Sequence, residues 1–349
     1  MTSSFGPGIG TPSARTTPSP FTRRVVSGAG GLPLAVYERY RPDETADRSN
    51  TDNGAAGRLT VLLVHGYPDD HSVWDPVAEL LAERFHVVTY DVRGAGVSGV
   101  PARTSDYRLD LLAGDAAAVI RATVPDGGSL HLVGHDWGSI QGWHFVCEPS
   151  LAPLIASYTS ISGPHLDAVG RFFRRRSTPA PTTRAIMSQA ARSWYVAAFQ
   201  LPLLAPAFWR SRIPRRTWPR VLERVEGISG DRLPDAQRVA RTQLDGAHGI
   251  GLYRANMLRS VGFPKHCRTD VPVQVIVPLN DRYVSTELAG VALDVADEVV
   301  FADVDAGHWL PLTDPDRVAA LVAEHIERSE RPRERPVGAA HARSDRGST

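Results

Sequence analysis

Cysteine is scarce in this chain, which has only Cys147 and Cys267 among its 349 residues. Two cysteines so far apart in the sequence do not indicate a disulfide framework or a cysteine-based metal site. Cys147 lies in an apolar stretch, where we expect it to pack in the core like a small hydrophobic residue. Because CxxC and HExxH spacings are also absent, we predict that the protein binds no metal ion.

Long apolar runs and a strong net charge are missing as well. No stretch of about 18 consecutive apolar residues occurs, so we predict no membrane-spanning segment. Residues 1–22 are polar and lack the apolar centre of a secretory signal, so the expected location is the cytoplasm. The net charge of +1 gives the whole chain no bias toward nucleic acid as a partner.

Although the net charge of the chain is close to zero, one segment is strongly basic. Residues 164–262 contain 17 arginines against 6 acidic residues, and aromatic side chains lie among these arginines. One interpretation is a solvated face that balances the acidic remainder of the chain. The other is peripheral contact with an anionic lipid surface, by a region that admits lipid-like substrates. The residues concerned are Arg171, Arg174, Arg175, Arg176, Arg210, Arg212, Arg215, Arg216, Phe172, Phe173, Phe208, Trp209 and Trp218.

Apolar runs alternate with amphipathic helical patterns over most of the chain. Two short runs at 25–26 and 34–37, separated by glycines, predict an antiparallel hairpin. The alternation that follows indicates an α/β fold with a mostly parallel, doubly wound sheet. The runs that predict its strands lie at 60–66, 86–92, 130–133, 155–161, 271–278 and 298–301.

The alternation stops at Gly163 and resumes only at Val271, with a mainly helical segment between them. We therefore predict one α/β core that is interrupted by an inserted helical cap and flanked by polar, disordered tails. The predicted tails are 1–22 and 329–349, the two parts of the core are 23–163 and 268–328, and the cap is 164–267.

The stretch Gly134-His135-Asp136-Trp137-Gly138 joins a predicted strand to a predicted helix. Its two glycines flank Asp136 with the G-x-S-x-G spacing of a nucleophile elbow, with aspartate in the nucleophile's place. A strained strand-to-helix turn needs neighbours without Cβ atoms, so that strand and helix can pack closely. Asp136 is therefore a candidate nucleophile, although an aspartate before a helix is also a common cap.

A nucleophile on such an elbow needs a base and an acid that orients the base. Asp281 and His308 follow the last two predicted strands, in that order. We predict His308 as the base and Asp281 as the group that fixes its tautomer and stabilises its charged form. Asp303 and Asp305 are rival acids, but they lie on the approach to His308 and lack a strand of their own.

An oxyanion hole is also needed, and the stretch His65-Gly66-Tyr67-Pro68 supplies a candidate. This stretch ends a strand that should lie beside the elbow. The backbone N–H groups of Tyr67 and Trp137 would then form the oxyanion hole.

These motifs together resemble the epoxide hydrolase branch of the α/β-hydrolases, over nearly everything between residues 25 and 328. The stretch 65–68 resembles the family's H-G-x-P oxyanion motif, and Gly134 to Gly138 match its nucleophile motif. The stretch 93–98 resembles its R-G-x-G-x-S turn, which we interpret as structural. More specifically, the chain resembles the hydrolase half of proteins that fuse such a domain to a short-chain dehydrogenase. No dinucleotide fingerprint occurs here, so the resemblance implies no oxidoreductase activity.

The resemblance also implies two cap tyrosines that hold the epoxide oxygen. Tyr195 lies five residues before Gln200 in an aromatic-rich stretch, and Tyr253 begins a Y-R-x-N stretch, as in the family. Taken singly, either tyrosine is as readily explained by packing against the core.

The implied activity is hydrolysis of epoxides to vicinal diols through an ester on Asp136, without a cofactor. The implied substrate is a small hydrophobic epoxide, which includes lipid-like ones. A haloalkane dehalogenase would use the same aspartate, but it needs N–H donors for a halide, often just after the H-G pair, where this chain has Tyr67. A non-catalytic binder of hydrophobic ligands is the third alternative; it would lack a member of the triad, and none is missing.

Overall fold

A computed structural model describes residues 21–40, 57–125, 128–228, 232 and 234–331. Within them, eight strands form one sheet in the order β1-β2-β4-β3-β5-β6-β7-β8. The first two pairings, β1 with β2 and β2 with β4, are antiparallel, and the other five are parallel. The strands are β1 Phe21–Ser27, β2 Pro33–Arg39, β3 Thr60–Val64, β4 His86–Tyr90, β5 Leu130–His135, β6 Ile155–Ile161, β7 Val273–Pro278 and β8 Val299–Val304. The predicted α/β sheet and its hairpin are confirmed.

The central strands are covered on both faces. Every residue of β3 and β4 is buried. Leu62 and Val64 of β3 belong to one apolar cluster, and Val61 and Leu63 belong to a second one. Successive side chains of a strand point to opposite faces, so the two clusters lie on opposite sides of the sheet. This double burial explains why the strands appear in the sequence as continuous apolar runs.

Helices of the core supply the covering layers. On one face α1 packs against α12, and on the other α2 packs against α3. Two short helices, α10 and α11, follow β7 and β8. The bounds are α1 Asp75–Leu81, α2 Leu109–Thr123, α3 Trp137–Phe145, α10 Thr286–Ala289, α11 Leu310–Thr313 and α12 Pro315–Glu330.

The described residues between β6 and β7 form six further α-helices, and we refer to residues 164–267 as the helical insertion. They are α4 Leu166–Phe173, α5 Thr183–Arg192, α6 Trp194–Phe199, α7 Leu204–Arg210, α8 Arg212–Val225 and α9 Ala236–Gly262. The longest is α9, which packs against α4, α6, α7 and α8. None of the helices that the structure describes is both long and apolar enough to cross a bilayer. The boundaries of the insertion as a separate cap stay a prediction.

Regular structure extends slightly into both predicted tails. The first strand already begins at Phe21, where Phe21 pairs with Arg39 of β2. At the other end, α12 continues to Glu330. The remainder of both tails and the polar segment 41–56 lie outside the described residues.

The spacing of the two cysteines did not indicate a disulfide, but the structure contains one. Cys147, just after α3, and Cys267, between α9 and β7, form a disulfide with a Cα–Cα distance of 6.1 Å. The helical insertion leaves the sheet after β6 and returns at the neighbouring strand β7. Its return therefore brings Cys267 back to the core, which a separation of 120 residues in the sequence does not reveal.

Candidate active site

Asp136 lies on a sharp turn between β5 and α3, with backbone angles φ 51° and ψ −119°. A positive φ is uncommon and strained for a residue other than glycine. Two glycines make room for the turn. A Cβ on Gly138 would lie 2.0 Å from the Val64 carbonyl oxygen, and a Cβ on Gly134 would lie 2.5 Å from the Gly138 carbonyl oxygen. The local geometry is therefore that of an elbow which presents Asp136.

The loop after β3 lies beside this elbow, because β3 and β5 are neighbouring parallel strands. The Tyr67 N–H donates a hydrogen bond to Asp136 Oδ1 at 2.7 Å. Gly66 permits the approach, since a Cβ there would lie 2.5 Å from Asp136 Cβ. Trp137 is the first residue of α3, so its N–H has no acceptor within the helix. The two predicted oxyanion donors thus adjoin Asp136, Tyr67 through space and Trp137 along the chain.

His308 and Asp281 converge on Asp136 from the loops after β8 and β7. His308 Nε2 lies 3.6 Å from Asp136 Oδ2, and His308 Nδ1 lies 3.0 Å from Asp281 Oδ2. The second oxygen of Asp281 accepts the N–H groups of Tyr283 at 2.7 Å and Val284 at 3.1 Å. Asp281 is therefore fixed by its own loop while it holds the Nδ1 side of the imidazole.

Burial and charge act against each other on the pKa values of this pair. Burial disfavours the imidazolium of His308, but the charges and hydrogen bonds of Asp281 and Asp136 outweigh it and raise the pKa of His308 well above its usual value. Burial likewise disfavours the carboxylate of Asp281, but the charge and hydrogen bond of His308 lower its pKa on balance. The resting site thus favours an imidazolium between two carboxylates.

The rival acids do not take part in this arrangement. Asp303 and Asp305 are exposed, and Asp305 accepts a hydrogen bond from the Asn280 side chain at 2.7 Å. Of the three candidate acids, the described structure places only Asp281 within hydrogen-bond distance of the His308 ring.

Both predicted tyrosines line a pocket of about 750 Å³ together with Asp136 and His308. Tyr195 is on α6 and Tyr253 is on α9, so the helical insertion supplies both. Their ring centroids lie 5.9 Å apart, and Tyr253 packs edge-on against Trp137 at 4.9 Å. Burial, together with the nearby charge of Asp136, raises the pKa of both phenols above the usual value. Both hydroxyls therefore stay protonated at neutral pH.

The two other motif residues of the loop after β3 have different roles. His65 Nε2 accepts the Val92 N–H at 2.9 Å, so Nδ1 carries the proton and donates to the Gly66 carbonyl at 2.8 Å. Burial lowers the pKa of His65, which keeps this ring neutral. His65 thus joins the loops after β3 and β4, whereas Pro68 lines the pocket.

Glu226 is a candidate that sequence reasoning missed. It lies directly after α8 and is 7% exposed. Its Oε2 accepts the backbone N–H of His308 at 2.9 Å, while its Oε1 is buried without a hydrogen-bond partner among the described residues. Gly307 permits the contact, since a Cβ there would lie 2.6 Å from Oε2. Two more missed residues, Tyr283 and Trp309, pack their rings against His308 with centroids 4.7 and 4.8 Å away.

We predict that Glu226→Ala lowers both stability and kcat. The substitution leaves the buried His308 N–H without an acceptor, which costs about 1–3 kcal/mol. The loosened loop should misplace the imidazole and lower kcat by about 10- to 100-fold. Thermal unfolding and steady-state kinetics measure the two effects. Glu223→Ala is the matched control, because Glu223 is exposed on the last turn of α8. Equal values for the two variants would show that the contact does not position His308.

Among the described residues, two groups outside the pocket have potential ligand atoms within 4.8 Å of one another. In the group of Cys147, His165 and Cys267, both cysteines are already joined in the disulfide. Neither group includes a member of the predicted catalytic set, and the expectation that the protein needs no metal stays a prediction. The groups are Cys147 with His165 and Cys267, and Asp70 with His71 and Asp91.

Comparison with known proteins gives two kinds of relative. "Probable oxidoreductase EphD" of Mycobacterium tuberculosis is 35% identical over 312 residues, which cover 87% of this chain and 49% of that protein. "Epoxide hydrolase 3" of Xenopus tropicalis is 31% identical over 144 residues, which cover 41% of this chain and 35% of that protein. The chain thus spans about half the length, or less, of these curated relatives.

The fold is shared with solved structures. That of a Bacillus megaterium epoxide hydrolase in complex with an inhibitor matches with a TM-score of 0.68 at 20% identity, covering 86% of this chain and 99% of that chain. Residues 60–315 also match the family model described as alpha/beta hydrolase fold. This range begins with β3, ends at the first residue of α12, and contains Asp136, Asp281 and His308. The resemblance stated from the motifs is confirmed, and the chain belongs to the α/β-hydrolase fold family.

Proposed function

We propose that this protein hydrolyses epoxides to vicinal diols through a covalent ester on Asp136. The observation that carries the proposal is the arrangement of Asp136, His308, Tyr195 and Tyr253 around one pocket. A carboxylate nucleophile, a base and two proton-donating phenols are what opening an epoxide and hydrolysing the resulting ester require. Relatives named epoxide hydrolases support the same chemistry.

The first step opens the epoxide ring. Asp136 Oδ1 accepts the Tyr67 N–H, so Oδ2 is the freer oxygen for attack on an epoxide carbon. The carbon–oxygen bond of the ring breaks, and its electron pair moves to the ring oxygen. Tyr195 and Tyr253 hydrogen-bond this oxygen, and one of them gives it a proton, because an alkoxide is far more basic than a phenolate. The result is a hydroxyalkyl ester on Asp136.

The second step hydrolyses that ester. His308 takes a proton from water, and the hydroxide adds to the carboxyl carbon of Asp136. The negative charge develops on Oδ1, which already accepts the Tyr67 N–H, and the Trp137 N–H would be the second donor that stabilises it. The tetrahedral intermediate then expels the diol oxygen, which recovers a proton from His308. The remaining proton of the water returns to the phenolate, so both the carboxylate and the tyrosine are restored.

Ester formation also changes the pKa of His308, the base of the second step. The charge of Asp136 is one cause of the raised pKa of His308, and esterification removes that charge. The pKa of His308 therefore falls in the intermediate, so the imidazolium releases its proton to solvent and becomes the neutral base that water activation requires. His308 takes up a proton from solvent again once the carboxylate of Asp136 is restored. Hydrolysis of the ester is then fast above the His308 pKa of the intermediate and slows as the pH falls through it.

The pocket favours a hydrophobic substrate. Besides the catalytic side chains, its lining is mainly aromatic: Trp194, Phe199, Phe208, Trp209, Trp218, Tyr283 and Trp309. A small or elongated apolar epoxide would bury its surface against these rings. The expectations of no cofactor and of a cytoplasmic location stay predictions.

The alternatives fit the site less well. A dehalogenase often places a halide-binding N–H donor just after the H-G pair, where this chain has Tyr67, and the phenols of Tyr195 and Tyr253 suit an epoxide oxygen. A non-catalytic binder would not need His308 held between two carboxylates. The name of the relative EphD includes oxidoreductase, but this chain matches only about half of that protein, and we propose no such activity here.

We expect activity with epoxides alone in a side-by-side screen of aryl and alkyl epoxides, haloalkanes and carboxylic esters. Epoxides should turn over with kcat/KM of about 10⁴ M⁻¹s⁻¹ or more for the best chain length. Diol formation, halide release and acid release are the three readouts, with heat-denatured protein as the blank. Halide release in preference to diol formation would favour the dehalogenase, and no turnover of any class would favour the binder.

A further inference from the structure

Six large apolar side chains are exposed on one continuous part of the helical insertion, residues 194–213. Their exposed fractions range from 46% to 81%. Single exposed apolar residues are ordinary, but a cluster of large ones marks an interaction surface. We call this set the apolar rim, and it consists of Trp194, Leu201, Leu203, Leu204, Phe208 and Ile213.

The apolar rim adjoins the catalytic pocket. Trp194 of α6 and Phe208 of α7 are exposed and also line the pocket, so they lie at its opening. Leu201 and Leu203 connect these two helices, and Leu204 begins α7. A surface that covered the rim would therefore lie against the entrance through which a substrate reaches Asp136.

The charge around the rim has one sign. Residues 192–220 contain six arginines and no aspartate or glutamate. Each of four arginines of α8 lies three or four positions from another one, so they share one side of the helix: Arg212, Arg215, Arg216 and Arg220. In the described structure none of the exposed arginines within residues 192–220 is ion-paired, whereas Arg238 and Arg241 on α9 pair with Asp75 and Asp70. The exposed arginines of this segment are Arg210, Arg212, Arg215, Arg216 and Arg220.

We propose that the apolar rim and these arginines dock the protein on an anionic lipid bilayer, with the pocket entrance facing the membrane. Large apolar side chains beside unpaired arginines are the composition that binds the interface of an anionic bilayer. A purely solvated face, by contrast, would not expose leucine, phenylalanine and tryptophan together. A second copy of the chain would bring the same positive charge against the first, which opposes pairing through this surface. The docked state would let lipid-like epoxides enter the pocket directly from the membrane, a consequence that rests on the proposed function.

Co-sedimentation of the full chain with vesicles tests the proposal. The vesicles contain phosphatidylcholine alone or with about 30 mol% phosphatidylglycerol. We expect binding to the anionic vesicles to be at least about tenfold tighter than to the neutral ones, and to weaken as salt screens the charge.

Two double variants separate the contribution of the arginine charges from that of the apolar rim. Arg215→Gln with Arg216→Gln should abolish the preference for anionic vesicles, and Leu203→Ser with Leu204→Ser should weaken binding to both kinds. The matched controls are Arg121→Gln with Arg317→Gln on core helices, and Phe263→Ser after α9, where Phe263 is 82% exposed. Both controls should bind like the unaltered protein.

All variants are also assayed with a small water-soluble epoxide. Unchanged turnover shows that they are folded and separates docking from catalysis. Vesicle binding without epoxide turnover by any form would overturn the proposed function and leave the docking proposal standing. Equal binding to neutral and anionic vesicles would overturn the docking proposal, as would control variants that weaken binding as much as the rim variants. A dimer in sedimentation velocity that the Leu203→Ser and Leu204→Ser pair dissolves would also overturn it, in favour of self-association.

Discussion

Asp136→Asn is expected to lower kcat/KM for epoxides by at least about 10⁴-fold, because the proposed covalent intermediate then has no nucleophile. The amide keeps the size of the side chain, so the fold should persist. It lacks the negative charge that makes the carboxylate attack an epoxide carbon. Steady-state diol formation measures the loss, and circular dichroism verifies the fold.

Asp303→Asn is the matched control for this substitution. Asp303 is an exposed acid on β8 that does not bond to His308 in the described structure. Its replacement should change kcat/KM by less than about twofold, as for an ordinary surface site. A comparable loss in both variants, or full activity of Asp136→Asn, would contradict the assigned nucleophile.

Removal of both pocket hydroxyls, in Tyr195→Phe with Tyr253→Phe, has the second largest expected effect. Each phenol donates a hydrogen bond to the ring oxygen as charge develops on it. Loss of one donor typically costs about 10²-fold, and loss of both should cost at least about 10³-fold in the rate of ring opening. Single-turnover measurements of substrate loss report this step directly.

Tyr67→Phe is the control within the same pocket. The Tyr67 hydroxyl already donates to the Gly246 carbonyl at 2.9 Å, so it is not free to protonate a substrate. Its backbone N–H, which contacts Asp136, is unchanged by the substitution. Ring opening by Tyr67→Phe should stay within about threefold of the unaltered protein. Full activity of the double variant would refute the role of the two phenols.

The sequence pattern of the strands made it possible to predict both the core of the fold and the order of the catalytic residues. Each strand with two covered faces is a continuous apolar run, and Asp136 and Asp281 follow two such strands, β5 and β7. His308 follows the edge strand β8, which is partly exposed and has only a short apolar run. Carboxyl ends of parallel strands meet at one edge of the sheet, so positions far apart in the chain were expected together. The strands β5, β7 and β8 place these three residues within hydrogen-bond or near-contact distance.

Contacts that cross between the helical insertion and the core could not be predicted in the same way. Glu226 reaches the His308 N–H from 82 positions away, and no period or motif relates the two residues. The disulfide between Cys147 and Cys267 depends on where the insertion returns to the sheet, which is a property of the fold. Tyr195 and Tyr253 were identified through a family resemblance, since an aromatic residue on a helix has many structural uses.

Trapping the ester on Asp136 tests the account most directly. His308→Gln should still open the epoxide, because Asp136, Tyr195 and Tyr253 are intact, but it lacks the base for hydrolysis. Intact-protein mass spectrometry after incubation with an epoxide should show one adduct with the mass of the whole epoxide, on the peptide that contains Asp136. Unmodified protein after full exposure, or an adduct confined to another residue, would contradict covalent catalysis by Asp136.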